Sequence, residues 1–135
     1  MTELRSHTLA RAAYERVTAR QAAAFKQEYG ALAHKFPGMI LQNGLAQATG
    51  FLLAKGKAEH LALMADLAAL LRHSGAVTST DPQALHQAVI AADLAATLLL
   101  TRRALEASGW MKRYVQGALG IDATGEASDG GGSQP

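Results

Sequence analysis

Apolar residues along this chain recur at steps of three and four, the spacing of one helical face. Leu9, Ala13, Val17 and Ala24 predict a first helix over about 4–27, closed at Tyr29-Gly30 with Gly30 as its C-cap. "ALAHKF" then reads as a short turn. Pro37 opens a second helix, because the residue before a proline avoids helical backbone and proline suits a first turn. That helix runs to about Lys55 on a stripe of Leu41, Leu45, Ala48 and Leu52. It carries two interior glycines, each costing about 1 kcal/mol relative to alanine. Gly44 falls on the buried side, where a missing side chain lets a neighbouring helix approach. Gly50 shares a small, polar side with Asn43, Gln47 and Ala54. Lys55 suits the negative end of the helix dipole and Gly56 the C′ position.

A third helix follows over about 58–73, with Leu61, Met64, Ala68 and Leu71 as its stripe. The tight connection makes it an antiparallel hairpin with the second. Past the loop "SGAVTST", Asp81-Pro82 is an N-cap followed by proline at the first helical position. This starts a short fourth helix to Ala91. A bend near Ala92 precedes Asp93, which caps a fifth helix over 94–119. Leu100, Ala104, Ala107, Met111, Val115 and Ala118 line one side of it; Arg102, Glu106, Gly109 and Arg113 line the other. The apolar stripe crosses Ser108-Gly109 without a change of phase, so the helix is expected to continue there. No segment alternates strictly between apolar and polar, and strands are not expected. The pattern predicts an all-α bundle of five to six helices, with short antiparallel hairpins and a long C-terminal helix. Residues 1–119 form one helical domain; 120–135 read as an acidic, Gly/Ser-rich flexible tail.

Composition sharpens this picture. Hydrophobic residues make up 49% of the 135 positions but aromatics only 5%, so Ala and Leu must fill a closely packed interior. The absence of cysteine excludes disulfides and thiolate metal sites and fits a reducing cytoplasm. The charged N-terminus has no signal-peptide character, and the most apolar run, "ALHQAVIAADLAATLLL", is too short for a membrane span. The formal charge of +2 is unevenly placed. Residues 1–119 carry 13 basic and 8 acidic groups, a net +5, whereas the last sixteen residues have Asp122, Glu126 and Asp129 with no Lys or Arg. A basic body fits a polyanionic partner.

Candidate chemistry is thin. His7, His34, His60, His73 and His86 show no helical metal-pair spacing. No serine has an elbow context, and Asp66, Asp81 and Asp93 read as surface or capping residues. Gly38, Gly44, Gly50 and Gly56 recur every six residues without the strand or Lys-Ser/Thr of a phosphate loop. An enzyme, a cofactor and a metal are not expected. What remains is cationic helix surface. Arg5, Arg16 and Arg20 share a sector of about 60° on the first helix, at 100° per residue. Lys55 and Lys57 mark the hairpin between the second and third helices, and Arg102 and Arg113 share a face of the last helix, with Arg103 and Lys112 nearby. Cations lining one groove bind a phosphate backbone without reading sequence. Against this, Arg102 and Glu106 have the spacing of a self-satisfied pair, and Trp110 has the character of a core-edge anchor.

Three segments resemble one family. "QEYGALAHKFPGMILQNGLAQATGFLLAKG" (27–56) is similar to the hallmark region of the small subunit of the type III-B CRISPR effector, the Cmr complex. "TRRALEASGWMKRY" (101–114) resembles that family's C-terminal pattern, and "LARAAYERV", with Tyr14, its first helix. The resemblance covers most of residues 9–118. It departs from the family's pattern at Ser108-Gly109, where larger helix formers are usual. It implies a non-catalytic, cytoplasmic, all-α subunit that lines the guide–target RNA channel of a ribonucleoprotein. The implied partners are the backbone and large subunits, neighbouring copies of itself, and guide and target RNA through their backbones, with no membrane. Asn43, Lys55, Trp110, Lys112 and Arg113 match family positions, Lys112 and Arg113 being the expected RNA-facing pair. The full expected RNA-binding set is Arg16, Arg20, Lys55, Lys57, Arg102, Lys112 and Arg113. The alternative is a helical adaptor whose cations pair with acidic protein neighbours.

Overall fold

The computed structural model describes residues 4–124, and six helices account for most of them. They are α1 (Arg5–Thr18), α2 (Lys26–Asn43), α3 (Leu45–Lys55), α4 (Ala58–His73), α5 (Pro82–Ala91) and α6 (Leu94–Gly117). The all-α class, the α3–α4 hairpin and the long last helix follow the sequence pattern. Asp81 and Asp93 cap as expected, their carboxylates accepting from the backbone N–H of Ala84 and Ala96, each at 2.9 Å. Helix α6 passes through Ser108 and Gly109 unbroken.

The first half of the chain is divided differently from the expectation. α1 ends at Thr18, where the hydroxyl donates back to the Tyr14 carbonyl at 2.7 Å. Successive turns then lead to Lys26, and α2 runs straight through both Gly30 and Pro37. Gly30 is no cap. It is buried, and a Cβ there would stand 2.6 Å from Ile121 Cγ2. Its role is to let the end of the chain lie against α2. Pro37 forfeits one helical hydrogen bond. The face formed by Tyr29, Leu32, Ala33, Phe36 and Ile40 continues across it, and burying that face holds the helix together. Each large apolar side chain fully buried contributes roughly 1.5–3 kcal/mol relative to exposure.

The expected second helix instead breaks at Gly44, with φ +87° and ψ 158°. That conformation is essentially restricted to glycine. Gly44 is therefore exposed rather than buried against a helix, and Leu41, left on the far side of the break, is 72% exposed. The stripe survives as Leu45, Ala48 and Leu52 on α3. Gly50 is the glycine that admits a neighbour: a Cβ there would meet the His86 ring at 3.4 Å. Thr49 and His86 Nδ1 are hydrogen-bonded at 2.7 Å, joining α3 to α5. Gly56, at φ +62°, caps α3 as expected.

The core is a four-helix ring in the order α1, α6, α2, α4, with α4 closing back on α1. α4 is buried on most of its circumference, through Leu63, Met64, Leu67, Ala68, Leu70 and Leu71. α3 and α5 pack on each other and on α4. Leu119 and Ile121 are buried beyond α6, so the core extends past the boundary expected at residue 119. The Ile121 carbonyl lies 2.9 Å from His34 Nε2. The rest of the expected acidic tail, with Glu126 and Asp129, lies outside the described residues. Among the described residues no helix is long and apolar enough to cross a membrane.

Candidate nucleic-acid interface

The charged residue that organises the bundle is Asp66, read from sequence as surface or capping. It is fully buried in α4. Arg16 Nε donates to Oδ1 at 2.8 Å. Arg20 donates through Nε to Oδ2 at 3.0 Å and through Nη2 to Oδ1 at 2.7 Å. The Tyr29 hydroxyl donates to Oδ2 at 2.5 Å, and the Arg20 guanidinium lies 5.8 Å from the Tyr29 ring centre. The hydrogen bonds to Asp66 raise the Arg20 pKa. Burial first, then the neighbouring Asp66 charge, pushes Tyr29 well above its ordinary value. A buried carboxylate is tolerated only when its lone pairs are met in this way. Arg16 and Arg20, two of the expected RNA-binding residues, thus serve an internal partner. The neighbours of Asp66 carried a signal: in "LALMADLAALL" apolar residues surround it on all sides of the helix, leaving no solvent face.

The remaining cations occupy different edges of the ring. Between α2 and α6 lies a shallow groove lined by His34, Lys35, Gly38, Met39, Gln42, Asn43 and Lys112. Nothing lies within 4 Å of where a Gly38 Cβ would stand, so the floor is open. Lys35, Asn43 and Lys112 are exposed. Two ammonium groups and two side-chain amides on rigid helices supply hydrogen-bond donors of the kind that phosphate oxygens accept. Sequence reading included Lys112 but missed Lys35 and Gln42. Lys35, Met39 and Gln42 fall at i, i+4 and i+7, but that face exists only if the helix passes through Pro37, where the expected boundary cut it.

Arg113 faces the next edge, between α6 and α1, in a groove with Ser6, Leu105, Glu106, Gly109 and Trp110. Lys112 and Arg113 are adjacent in sequence but are divided between two grooves by the helical turn. Glu106 reaches Arg5 at 3.3 Å, an exposed contact worth little, rather than its expected partner Arg102. Trp110 packs against the core and stacks on Tyr114 at 5.8 Å; Tyr114 in turn meets Tyr14 edge-on at 5.3 Å. It is the core-edge anchor that its position suggested. Lys55 and Lys57 stand on the α3–α4 turn, Lys55 at 5.7 Å from the Phe51 ring centre. Arg102 is exposed on α6. The expected cations are therefore spread over several edges, and Lys112 shares its groove with Lys35 of α2.

Two histidines, His60 buried and His34 half-buried, have structural roles. His60 is 8% exposed, edge-on to Phe51 at 5.9 Å. The Glu59 carboxylate approaches its Nδ1 to 3.5 Å without hydrogen-bonding geometry, and burial lowers the His60 pKa. His34 spends Nε2 on the chain end at Ile121. Among the described residues no three His, Asp or Glu side chains are grouped to hold a metal.

Residues 5–118 match the family model described as CRISPR-associated protein (Cas_Cmr5). The CRISPR system Cmr subunit Cmr5 of Thermus thermophilus is 36% identical over 115 residues, which are 85% of this chain and 96% of that protein. The crystal structure of a CRISPR-associated Cmr5 family protein from the same organism superposes with a TM-score of 0.77 at 36% identity, covering 86% of this chain and 97% of that one. The match spans α1 to the end of α6, and the structural agreement extends over the same helical bundle; this chain belongs to the Cas_Cmr5 family of small type III-B Cmr subunits.

Proposed function

We propose that this protein is a non-catalytic subunit of a Cmr-type RNA-guided complex, and that its α2–α6 groove lies along the backbone of the guide or target RNA. The observation that carries the reading is the pairing of Lys35 and Lys112 across one open groove, with Gln42 and Asn43 beside them. Backbone contacts of this kind add affinity and salt dependence without base preference. Lys55, Lys57, Arg102 and Arg113 supply further cationic surface at other edges. Arg16 and Arg20 are assigned to the internal Asp66 network instead.

A subunit must also meet protein neighbours, among them the backbone and large subunits and other copies of itself. Ile90, Leu94 and Leu98, exposed by 61%, 75% and 59%, follow one another across the α5–α6 bend. Exposed apolar residues gathered in this way favour a protein contact, and they support the adaptor role as a second reading, one that needs no RNA contact.

The test is the combined Lys35→Ala and Lys112→Ala variant in the reconstituted complex. Assembly is expected to be unchanged, while RNA binding weakens and its log–log salt slope falls by about 1.5, the counterion release of two phosphate contacts. Intact assembly with unchanged RNA binding would leave only the adaptor.

A further inference from the structure

On the opposite edge of the ring from the α2–α6 groove, α1 and the end of α4 form a cleft with the loop that follows. It is lined by Ala12, Glu15, Arg16, Ala69, Arg72, His73 and Thr80. We infer that this cleft is a docking site for a single carboxylate, carried by a glutamate side chain of a partner protein.

The donors come from three separate elements. Arg16 stands on α1 with its Nε committed to Asp66, which fixes the guanidinium at the cleft while its side chain stays 38% exposed. Arg72 and His73 are exposed on the last turn of α4, and neither has an ion-pair partner among the described residues. Thr80 adds a hydroxyl from the loop. The guanidinium is a planar fork that matches a planar carboxylate, and a pre-oriented fork loses less entropy on pairing.

Shape and charge favour a carboxylate over phosphate. Ala12 and Ala69, buried but for 5% and 8% of their surface, close the cleft floor with apolar atoms against which the methylene groups of a glutamate stem can rest. Glu15 lines the cleft, and the carbonyl end of the α4 dipole is adjacent. Both disfavour concentrated negative charge, so one delocalised charge is tolerated better than a row of phosphates. The cleft also lies away from the edge assigned to RNA, so one side of the bundle is left to meet protein while the other meets the strand.

The inference is tested on the full chain by titrating an N-acetylated, C-amidated Gly-Gly-Glu-Gly-Gly peptide, which carries one carboxylate, and following backbone amide and Arg side-chain NMR signals. The peptide should shift Ala69, Thr80 and the Arg16 Nε–H. Arg72→Ala, at an exposed position, should weaken binding about tenfold, the effect of one charge-assisted contact. Ala69→Leu should fill the floor and abolish the shifts. In both variants a short uridine oligonucleotide should still shift Lys35 and Lys112; if it shifts neither in the unaltered chain, the RNA groove fails and the cleft stands. Peptide shifts confined to the α2–α6 groove, or surviving both substitutions, would overturn the carboxylate site. So would oligonucleotide or inorganic phosphate shifting the cleft as strongly as the peptide, since the site would then be one for phosphate.

Discussion

Arg20 and Asp66 form a side-on pair of two hydrogen bonds, at 3.0 and 2.7 Å, that ties the turn after α1 to the buried face of α4. Tyr29 completes the pair from α2 at 2.5 Å, so one carboxylate joins three helical segments. Removing it strands the buried Tyr29 hydroxyl without its acceptor and leaves two guanidinium groups facing each other. Asp66→Ala is expected to destabilise the fold by about 3 kcal/mol, at the lower end for a broken buried pair because both arginines retain some access to water. Urea unfolding monitored by circular dichroism measures it; a loss below about 1 kcal/mol would contradict the network's structural role.

Two helix-interior glycines should respond in opposite directions to the same substitution. Gly109→Ala meets nothing within 4 Å and should stabilise the protein by about 0.5–1 kcal/mol through helix propensity. At Gly30 the new methyl would press against Ile121 Cγ2 at 2.6 Å and Cβ at 3.0 Å. Gly30→Ala should destabilise by about 1–3 kcal/mol. Adding Ile121→Ala to Gly30→Ala should cost less than the two separate losses combined, a coupling readable in a double-mutant cycle.

The break between α2 and α3 depends on backbone freedom rather than on packing. Gly44 has open space around its Cα, yet its φ of +87° with ψ of 158° excludes a side chain. Gly44→Ala should destabilise by about 1–3 kcal/mol, with little effect from changes to its neighbour Leu41. Thermal unfolding of the two variants side by side distinguishes this from the loss of a packing glycine.

His60 makes stability depend on pH in a defined sense. Burial lowers its folded-state pKa below the ordinary 6.5. The unfolded chain therefore takes up the proton first as pH falls, and the folded state loses stability from about 6.5 downward until the folded group titrates too. Above that window the group contributes no pH dependence. His60→Gln should flatten the stability difference between pH 7.5 and 5.5 relative to the unaltered protein. An unchanged slope would show that His60 is not the source of the pH dependence.

The fold class, α4, α5, α6 and both aspartate caps were legible in the chain, because there local spacing and local capping agree with the tertiary packing. The division of the first half was not. Pro37 and Gly30 are strong local stop signals, and only the burial of Tyr29, Phe36 and Ile40 on one continuous face overrides them. That override also determined the candidate groove, since Lys35 meets Asn43 and Lys112 only along an unbroken α2. Cationic character was visible in composition, but helical spacing orders residues within one helix and says nothing of which helix lies beside it. Tertiary structure alone brought Arg16 and Arg20 onto Asp66 and turned Lys112 and Arg113 into different grooves. The sequence by itself determined that the chain forms a bundle of helices and what charge they carry; the burial of one aspartate and the order of helices around the ring decided which of those charges face outward together.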